Sequence, residues 1–190
     1  MNKNDRRVKK TQAALQNAFA ELMQEKDLHH ITVQELTSRA NIHRVTFYTH
    51  YHDVYDLYTQ IEENTLTELG NIAKNDPAHL YEGIYNGIID YIYDHQTLFH
   101  MFLCSENTSF TNRLSELFET KYLSIWLFED NLTEISSEMR YLTSYHIHGC
   151  LAIITTWAKS SFASPKSKII QLLLMADTNF EQMLIEQKIT

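Results

Sequence analysis

The side chains best suited to bind a polyanion are concentrated in one short segment of the sequence, HRVTFYTH. Arg44 can form a bidentate pair with a guanine edge, and Thr46 and Thr49 can reach bases or phosphate oxygens. Tyr48 and His50 can donate hydrogen bonds to phosphate oxygens. Because the segment contains no acidic residue, these residue types predict a surface that contacts nucleic acid.

The surrounding residues predict two short helices joined by a tight turn. Thr32 and Glu35 have the spacing of a capping box, in which the threonine begins the first helix and the glutamate reaches back to it. Asn41 tolerates the left-handed backbone that the turn needs, so the second helix is expected to begin near His43. An ordinary two-helix corner with solvated polar residues is the alternative interpretation, but the capping pattern favours a helix-turn-helix.

Charge is distributed unevenly along the chain. Residues 1–52 contain eight basic and five acidic residues, a net charge of +3, whereas residues 53–190 have a net charge of −11. The overall charge of −8 therefore hides a basic amino-terminal part, and DNA responds to the local field within about 10 Å. Five of the eight basic residues lie in the first ten positions, where a flexible arm or a first helical turn could contact backbone phosphates.

These features resemble the DNA-binding domain of the TetR family of bacterial transcriptional regulators. The resemblance runs from about Val8 to Leu57 and includes a long first helix, a capped Thr-Val start of the second helix, a Thr-Phe-Tyr-x-x-Tyr recognition helix and an Asp-x-x-x-Leu start of the fourth. A shorter stretch, from Tyr145 to Trp157, resembles the carboxyl-terminal domain of a subgroup that includes dihydroxyacetone kinase regulator-like proteins. The resemblance implies a dimeric DNA-binding regulator, with repression the expected mode and a small ligand as the releasing signal.

The sequence departs from the family pattern in and around the recognition helix. Asn41 replaces the common glycine of the turn, His43 replaces the usual cap, and Val45 replaces a small residue. Val54 replaces a lysine that meets a phosphate in the family, so DNA affinity is expected to fall by about one phosphate contact. The residues expected to compensate are His50, His52 and the amino-terminal arginines.

A two-fold dimer with two recognition helices predicts a palindromic double-stranded DNA operator. Its half-sites are expected about one helical turn, roughly 34 to 36 Å, apart. Base specificity is expected from Arg44, Val45 and Thr49 and from Gln34, which lies on the helix before the recognition helix. The full set of residues expected to contact DNA is Arg6, Arg7, Thr32, Gln34, His43, Arg44, Val45, Thr46, Tyr48, Thr49 and His50.

The whole chain is expected to be all-α, with about nine helices. Two prolines and four glycines in 190 residues leave little room for a sheet of hairpins. Apolar residues recur at helical spacing, and Asp76-Pro77 has the pattern of a helix start. We expect two domains: a helix-turn-helix DNA-binding domain over residues 1–52 and a helical effector-binding and dimerisation domain over residues 53–190.

The last two predicted helices are apolar around most of their circumference. Residues 141–158 contain no Asp, Glu, Lys or Arg, and such a helix must be buried on several faces. Polar residues such as His146 and Thr155 disfavour a membrane span, and burial in a monomer core is the second alternative. We expect these helices to form the four-helix interface of a homodimer. The expected interface residues are Gly149, Ala152, Trp157, Ile169 and Leu173.

Aromatic and weakly polar side chains of the carboxyl-terminal part are candidates for lining an effector cavity. Aromatic walls with a few convergent polar groups suit an apolar or aromatic small molecule. Because aromatic residues at helical spacing also fill ordinary cores, core packing is the alternative. The candidate lining residues are Tyr91, His95, Phe99, Phe102, Phe118, Tyr122, Trp126, Tyr145 and His146.

Other classes of function receive little support from the sequence. No two histidines have metal-ligand spacing within a predicted helix, so neither a metal nor a cofactor is expected. No Gly-rich phosphate loop, nucleophile elbow or matched carboxylate pair indicates an enzyme. Because Val54 replaces the family lysine, a helix-turn-helix protein that docks another protein and binds DNA weakly is the alternative function. Cys104 and Cys150 form no CxxC motif and no signal peptide is recognised, so reduced thiols and a cytoplasmic location are expected.

Overall fold

The computed structural model describes residues 3–74, 81–105, 108–129 and 134–186. Its regular structure in these ranges is helical throughout, so the predicted all-α class is confirmed. A 3₁₀ turn, Leu28–His30, connects the first two helices and was not expected from the sequence. The α-helices are α1 (Lys3–Glu25), α2 (Val33–Arg39), α3 (Arg44–Tyr48), α4 (Val54–Lys74), α5 (Tyr81–Asp94), α6 (Gln96–Cys104), α7 (Ser109–Glu129), α8 (Ser137–Lys159) and α9 (Lys166–Glu186).

The helix ends follow from local capping chemistry. The Ser136 hydroxyl accepts a hydrogen bond from the backbone N–H of Met139 at 3.2 Å and begins α8. At the start of α4, the Asp53 carboxylate accepts from Asp56 N–H and the Asp56 carboxylate accepts from His52 N–H, both at 2.8 Å. The predicted start of a helix at Asp76-Pro77 lies outside the described residues.

The α8 helix ends earlier than its apolar pattern predicts. The pattern continues to Phe162, but Ser161 and Phe162 adopt left-handed backbone angles, with φ of 54° and 57°. The Phe162 N–H donates to Trp157 O at 3.0 Å, and its ring packs edge-on against Trp157 at 5.0 Å. This reversal sends the chain back along α8 as α9, because the hydrophobic contact outweighs the cost of the left-handed residues.

The first three helices enclose a small apolar core of their own. Leu15, Phe19 and Leu22 form one face of α1, and they are fully buried together with Leu36 of α2 and Phe47 of α3. These residues lie at helical spacing on α1, so one stripe of the helix faces the two shorter helices. This core fixes the angle at which α3 is presented. We call residues 3–53 the head and the remaining described residues the body.

Aromatic packing joins the head to the body, and an ion pair within the body ties α4 to α7. The Phe19 ring of α1 lies 6.2 Å from Tyr58 of α4, which lies 6.0 Å from Phe102 of α6. Burial raises the pKa of the Tyr58 hydroxyl to about 12, with a smaller contribution from the nearby Glu62 carboxylate. The buried Glu62 carboxylate of α4 accepts from the Arg113 guanidinium of α7 at 2.8 Å.

In the body, α8 is the central helix. It packs against α6, α7 and α9, while α5 packs against α9, α4 and α6. Nothing in the described part of the chain is both long enough and apolar enough to cross a membrane as a helix.

Candidate nucleic-acid interface and body cavity

The position of α2 is fixed by one cap and two ion pairs. The Thr32 hydroxyl accepts from Glu35 N–H at 3.2 Å, as the capping box predicts. The reciprocal half of the box is not formed, because the Glu35 carboxylate pairs instead with the Lys26 ammonium at 2.6 Å. Arg39 forms a bidentate pair with Glu25 at 2.6 and 3.0 Å, and this pair lowers the pKa of the Glu25 carboxyl. Both ion pairs tie α2 to the end of α1.

The turn between α2 and α3 has the predicted left-handed residue. Asn41 has a φ of 53°, and the following N–H of Ile42 donates to Thr37 O at 2.9 Å. His43 takes an extended conformation at the N-cap of α3, but its side chain makes no capping hydrogen bond. The exposed His43 ring is therefore available to a ligand outside the chain.

The α3 helix divides sharply into a buried and an exposed face. Phe47 is fully buried, and its ring meets Tyr48 edge-on at 5.4 Å. Arg44 is exposed and has no hydrogen bond or ion pair to any described residue. Val45 is 77% exposed and Tyr48 is 51% exposed. Val45 therefore contributes little to the core of the head, and its face of α3 is a candidate contact surface.

The remaining predicted DNA-contacting residues lie mostly on the same exposed side of the head. Gln34 and Thr32 are exposed on α2 and its cap, whereas Thr46 and His50 are half-buried. The Thr49 hydroxyl is exposed and donates to Thr46 O at 2.6 Å. Its oxygen therefore remains able to accept a hydrogen bond from a ligand. Near the amino-terminal end of α1, Arg6 and Arg7 are exposed. The first-turn alternative, rather than a flexible arm, therefore describes them.

Two further candidates border the recognition helix. A cleft of about 280 Å³ between α2 and α3 is lined by polar groups. Ser38 and Asn41 are exposed at this cleft beside Gln34 and Arg44. Sequence reasoning missed both as binding residues, although Ser38 follows Gln34 by four positions and thus shares its face of α2. We call the exposed side of α2 and α3 the recognition surface.

The body contains an apolar cavity between α5, α7 and α8. Its volume is about 70 Å³, and its walls include Ile84 and Ile88 of α5 and Ile147 of α8. Polar groups reach it from only a few side chains. The remaining lining residues are Ala73, Tyr85, Phe118, Lys121, Tyr122, Cys150, Leu151 and Ile154.

A buried polar cluster borders this cavity. The His146 imidazole of α8 donates from Nε2 to Asp177 Oδ1 of α9 at 2.7 Å, and both side chains are 4% exposed. Burial lowers the pKa of His146, but the hydrogen bonds to Asp177 and Cys150 outweigh it and raise the pKa to about 9. The Cys150 thiol lies 3.7 Å from His146 Nε2 and 4.0 Å from the Tyr85 hydroxyl. Burial also raises the pKa of Tyr85.

Only some of the residues predicted to line an effector cavity are found at this one. Phe118 and Tyr122 line the cavity, and His146 lies next to it. Tyr145 does not line it, because the residue beside His146 on a helix points away and is 74% exposed. The Trp126 side chain lies outside the described residues. The other predicted lining residues lie elsewhere, either buried among aromatic rings of the core or nearer the surface: Phe99, Phe102, Tyr91 and His95.

The predicted dimer residues fall into two groups. Gly149 and Ala152 lie on the exposed face of α8. Trp157, Ile169 and Leu173 are at most 5% exposed within one chain, so they cannot contribute appreciable area to an interface between chains. Trp157 instead donates from Nε1 to Ser164 O at 2.9 Å and closes the α8–α9 turn. The exposed face of α8 also carries two large aromatic side chains, Tyr141 and Tyr145.

Comparison with known proteins identifies the family. The sequence model of one family, described as "Transcriptional regulator C-terminal region" and named for TetR regulators, matches residues 79–176. The match covers more than half of the chain. The chain belongs to the TetR family of transcriptional regulators. The match spans α5 to the middle of α9, whereas the resemblance noted from the sequence lies mainly in the head of this TetR-family regulator.

One curated relative has a similar sequence over part of its length. An uncharacterized HTH-type transcriptional regulator of Bacillus subtilis strain 168, YxbF, is 39% identical over 66 residues. These residues represent 34% of the TetR-family chain described here and 17% of the relative. The chain therefore matches less than a fifth of that protein's length.

Three solved structures share the fold along most of the chain. A TetR transcriptional regulator from Streptococcus agalactiae 2603V is 24% identical, covers 90% of this chain and 96% of its own, and has a TM-score of 0.62. The dihydroxyacetone kinase operon activator DhaS is 22% identical, with coverages of 87% and 94% and a TM-score of 0.61. The fatty acid degradation regulator FadR from Bacillus halodurans is 12% identical, with coverages of 86% and 92% and a TM-score of 0.64.

Proposed function

We propose that this TetR-family regulator is a homodimeric repressor that binds a palindromic operator through the recognition surface and is released by a small apolar ligand. The observation that carries the proposal is the exposed face of α3. Arg44 has no hydrogen-bond or ion-pair partner among the described residues, whereas Arg39 in the same head is held by Glu25. A guanidinium that a fold leaves unpaired beside exposed hydroxyls suits a guanine edge flanked by phosphates.

Long-range electrostatics support the same assignment. The +3 charge of residues 1–52 lies on a body with a charge of −11, so the field directs DNA toward the head. Binding is expected to weaken as salt rises, because each neutralised phosphate releases condensed counterions.

The exposed face of α8 supports the dimer. Tyr141, Tyr145, Gly149, Ala152 and Thr156 are all exposed and recur at intervals of three or four residues, so they form one stripe. Gly149 and Ala152 at its centre allow two helices to approach closely, and the tyrosines supply large contact areas at one end. On α9, Met175 is a further large apolar side chain that is 57% exposed.

The body cavity supports regulation by a ligand. About 70 Å³ is less than the roughly 300 to 1,000 Å³ of pockets for drug-sized molecules, so such a ligand requires the surrounding helices to move apart. The cavity-lining helix α7 is tied to α4 by the Arg113–Glu62 pair, and α4 leads directly to the recognition surface. A ligand that binds the expanded body more tightly thus shifts the equilibrium away from the DNA-binding arrangement.

The experiment that tests the DNA-reading role is selection of bound duplexes from a random library by the purified full-length chain. Arg44→Ala is run in parallel, with Arg140→Ala, an exposed arginine of α8, as the matched control. We expect the wild type and Arg140→Ala to enrich one palindrome. Arg44→Ala is expected to lose about 1 to 3 kcal/mol on that site and to relax one base position.

Two results would contradict parts of this proposal. No enrichment by the wild type at low salt would favour the alternative function, a protein-docking co-regulator, for which the exposed Val45 and Tyr48 would be the contact residues. Lower expression of the neighbouring genes after deletion of the regulator would make it an activator, as DhaS is named, rather than a repressor.

A further inference from the structure

Three potential metal ligands converge at the 3₁₀ turn between α1 and α2. Asp27 precedes the turn, and His29 and His30 form its second and third residues. One ligand atom from each side chain lies within 4.8 Å of the other two. The two imidazole rings are 4.0 Å apart, centroid to centroid. All three side chains are exposed, so an ion could reach them without any opening of the fold.

These side chains have no other structural task in the described part of the chain. Asp27 occupies the N-cap position of the turn, yet its carboxylate accepts no capping hydrogen bond. Neither imidazole side chain forms a hydrogen bond or ion pair with a described residue, and His30 uses only its backbone N–H, which donates to Asp27 O at 3.0 Å. Lys26, which precedes Asp27 in the sequence, pairs with Glu35, and Arg39 of α2 pairs with Glu25. The group is therefore open to a cation and is not shielded by a free positive charge.

The ligand set selects a class of metal. Two imidazole nitrogens and one carboxylate oxygen suit Zn²⁺, Ni²⁺ or Cu²⁺, whereas Mg²⁺ and Ca²⁺ prefer sites made of oxygen alone. Ligands held about 2.1 Å from a tetrahedral ion lie about 3.4 Å from one another. Contraction from within 4.8 Å to that spacing requires only rotation of exposed side chains.

We infer that Asp27, His29 and His30 form a surface site for a divalent transition-metal ion, with water completing the coordination. Helical spacing rules do not find this site, because the three residues lie in a 3₁₀ turn instead of an α-helix. The bound ion holds the 3₁₀ turn in place. The turn is followed directly by the buried Ile31 and then by Thr32, the cap of α2. Because the ion binds the folded head, it also stabilises the chain by mass action.

The site is tested by titrating the metal-free, full-length chain with Zn²⁺ in a calorimeter. We expect the wild type to bind one ion per chain, and we expect the dissociation constant to be at least tenfold higher for His29→Gln and for His30→Gln. His52→Gln, an exposed histidine near the start of α4, is the matched control and should bind as the wild type does. Circular dichroism spectra establish that each variant is folded.

A second measurement distinguishes this site from other histidines and thiols. Zn²⁺ is expected to raise the midpoint of thermal unfolding of the wild type and of His52→Gln, but not that of the His29→Gln/His30→Gln double variant. Equal Zn²⁺ affinity of the double variant and the wild type would overturn the inference, as would the absence of wild-type binding at about 1 mM Zn²⁺, at which even a weak three-ligand site should be filled.

Discussion

Val54 occupies the position at which the resemblance to the TetR family predicts a phosphate-contacting lysine. In this chain it is 7% exposed and belongs to the apolar core at the start of α4. A lysine there can lay its aliphatic part over the same core and extend its ammonium to the surface. We therefore predict that Val54→Lys adds about one phosphate contact and makes the dependence of DNA affinity on salt steeper by about one unit. Affinity measured from low to moderate salt checks this.

The neighbouring Tyr55 provides a matched control for added charge. It is 52% exposed on α4, so Tyr55→Lys introduces the same ammonium one position away and with little effect on the core. If Tyr55→Lys steepened the salt dependence as much as Val54→Lys, the gain would come from net charge. If neither changed it, the start of α4 would not approach a phosphate.

The buried His146–Asp177 pair predicts a pH dependence of stability. The pKa of His146 is raised to about 9 in the folded chain, above the value of about 6.5 in the unfolded chain. The stabilisation of the folded chain by the protonated His146 is therefore fully present below about pH 6.5 and is lost as the pH rises through about 9. We expect the free energy of unfolding to fall by about 1 to 3 kcal/mol over this range, measured by urea unfolding at a series of pH values.

Two histidine variants isolate this contribution. His146→Gln removes the titrating group and should flatten the decline between pH 6.5 and 9, even though it lowers stability at neutral pH. His148 lies two residues after His146 on α8 and is 58% exposed, so His148→Gln should leave the decline unchanged. A decline that persists in His146→Gln would assign the pH dependence to another group.

At the scale of single helices, the exposed face of α8 can be tested without disturbing its buried face. A Cβ added at Gly149 would meet no atom within 4 Å in the same chain, so a larger residue should leave the protomer folded. If two copies pack through this face, Gly149→Arg places a bulky charge between them. We predict that Gly149→Arg is a folded monomer by analytical ultracentrifugation, whereas Gly149→Ala remains a dimer. A dimeric Gly149→Arg would place the interface elsewhere.

The helices and their ends were largely predictable because their causes are local. The Thr32 cap and the left-handed Asn41 depend on residues within a few positions of each other. The missing half of the capping box depends on Lys26, which takes the Glu35 carboxylate. That competition joins two helices, so the capping pattern alone could not reveal it.

The exposed faces of long apolar helices were less predictable. In α8, charged residues are absent between positions 141 and 158, so no polar stripe distinguishes the buried His146 from the exposed Tyr145. The face of α8 that carries His146 is turned inward, where His146 pairs with Asp177 of α9. The lining of the body cavity could not be predicted for the same reason, because the residues that face the cavity depend on how α5, α7 and α8 are rotated relative to one another.

The whole molecule should unfold as one cooperative unit although the sequence suggests two domains. The ring of Phe102 in the body lies 6.0 Å from Tyr58 and is stacked on Phe110 at 4.0 Å. Tyr58 in turn contacts Phe19 of the head core. A head that lost the body would expose this aromatic surface and the face of α1 that packs against α6, so its own small core would be insufficient.

Cooperativity can be measured by native-state hydrogen exchange of an α1 peptide and an α8 peptide. Phe102→Ala should cost about 3 to 5 kcal/mol and reduce protection of both peptides. Phe180 is a sharper probe, because it is buried in the body, where it stacks on His146 at 4.4 Å. If head and body form one unit, Phe180→Ala must reduce protection of the most stable α1 amides as much as those of α8. Unchanged α1 protection would mean that the head opens independently of the body. In that case α4 would act as a hinge between two separately stable parts.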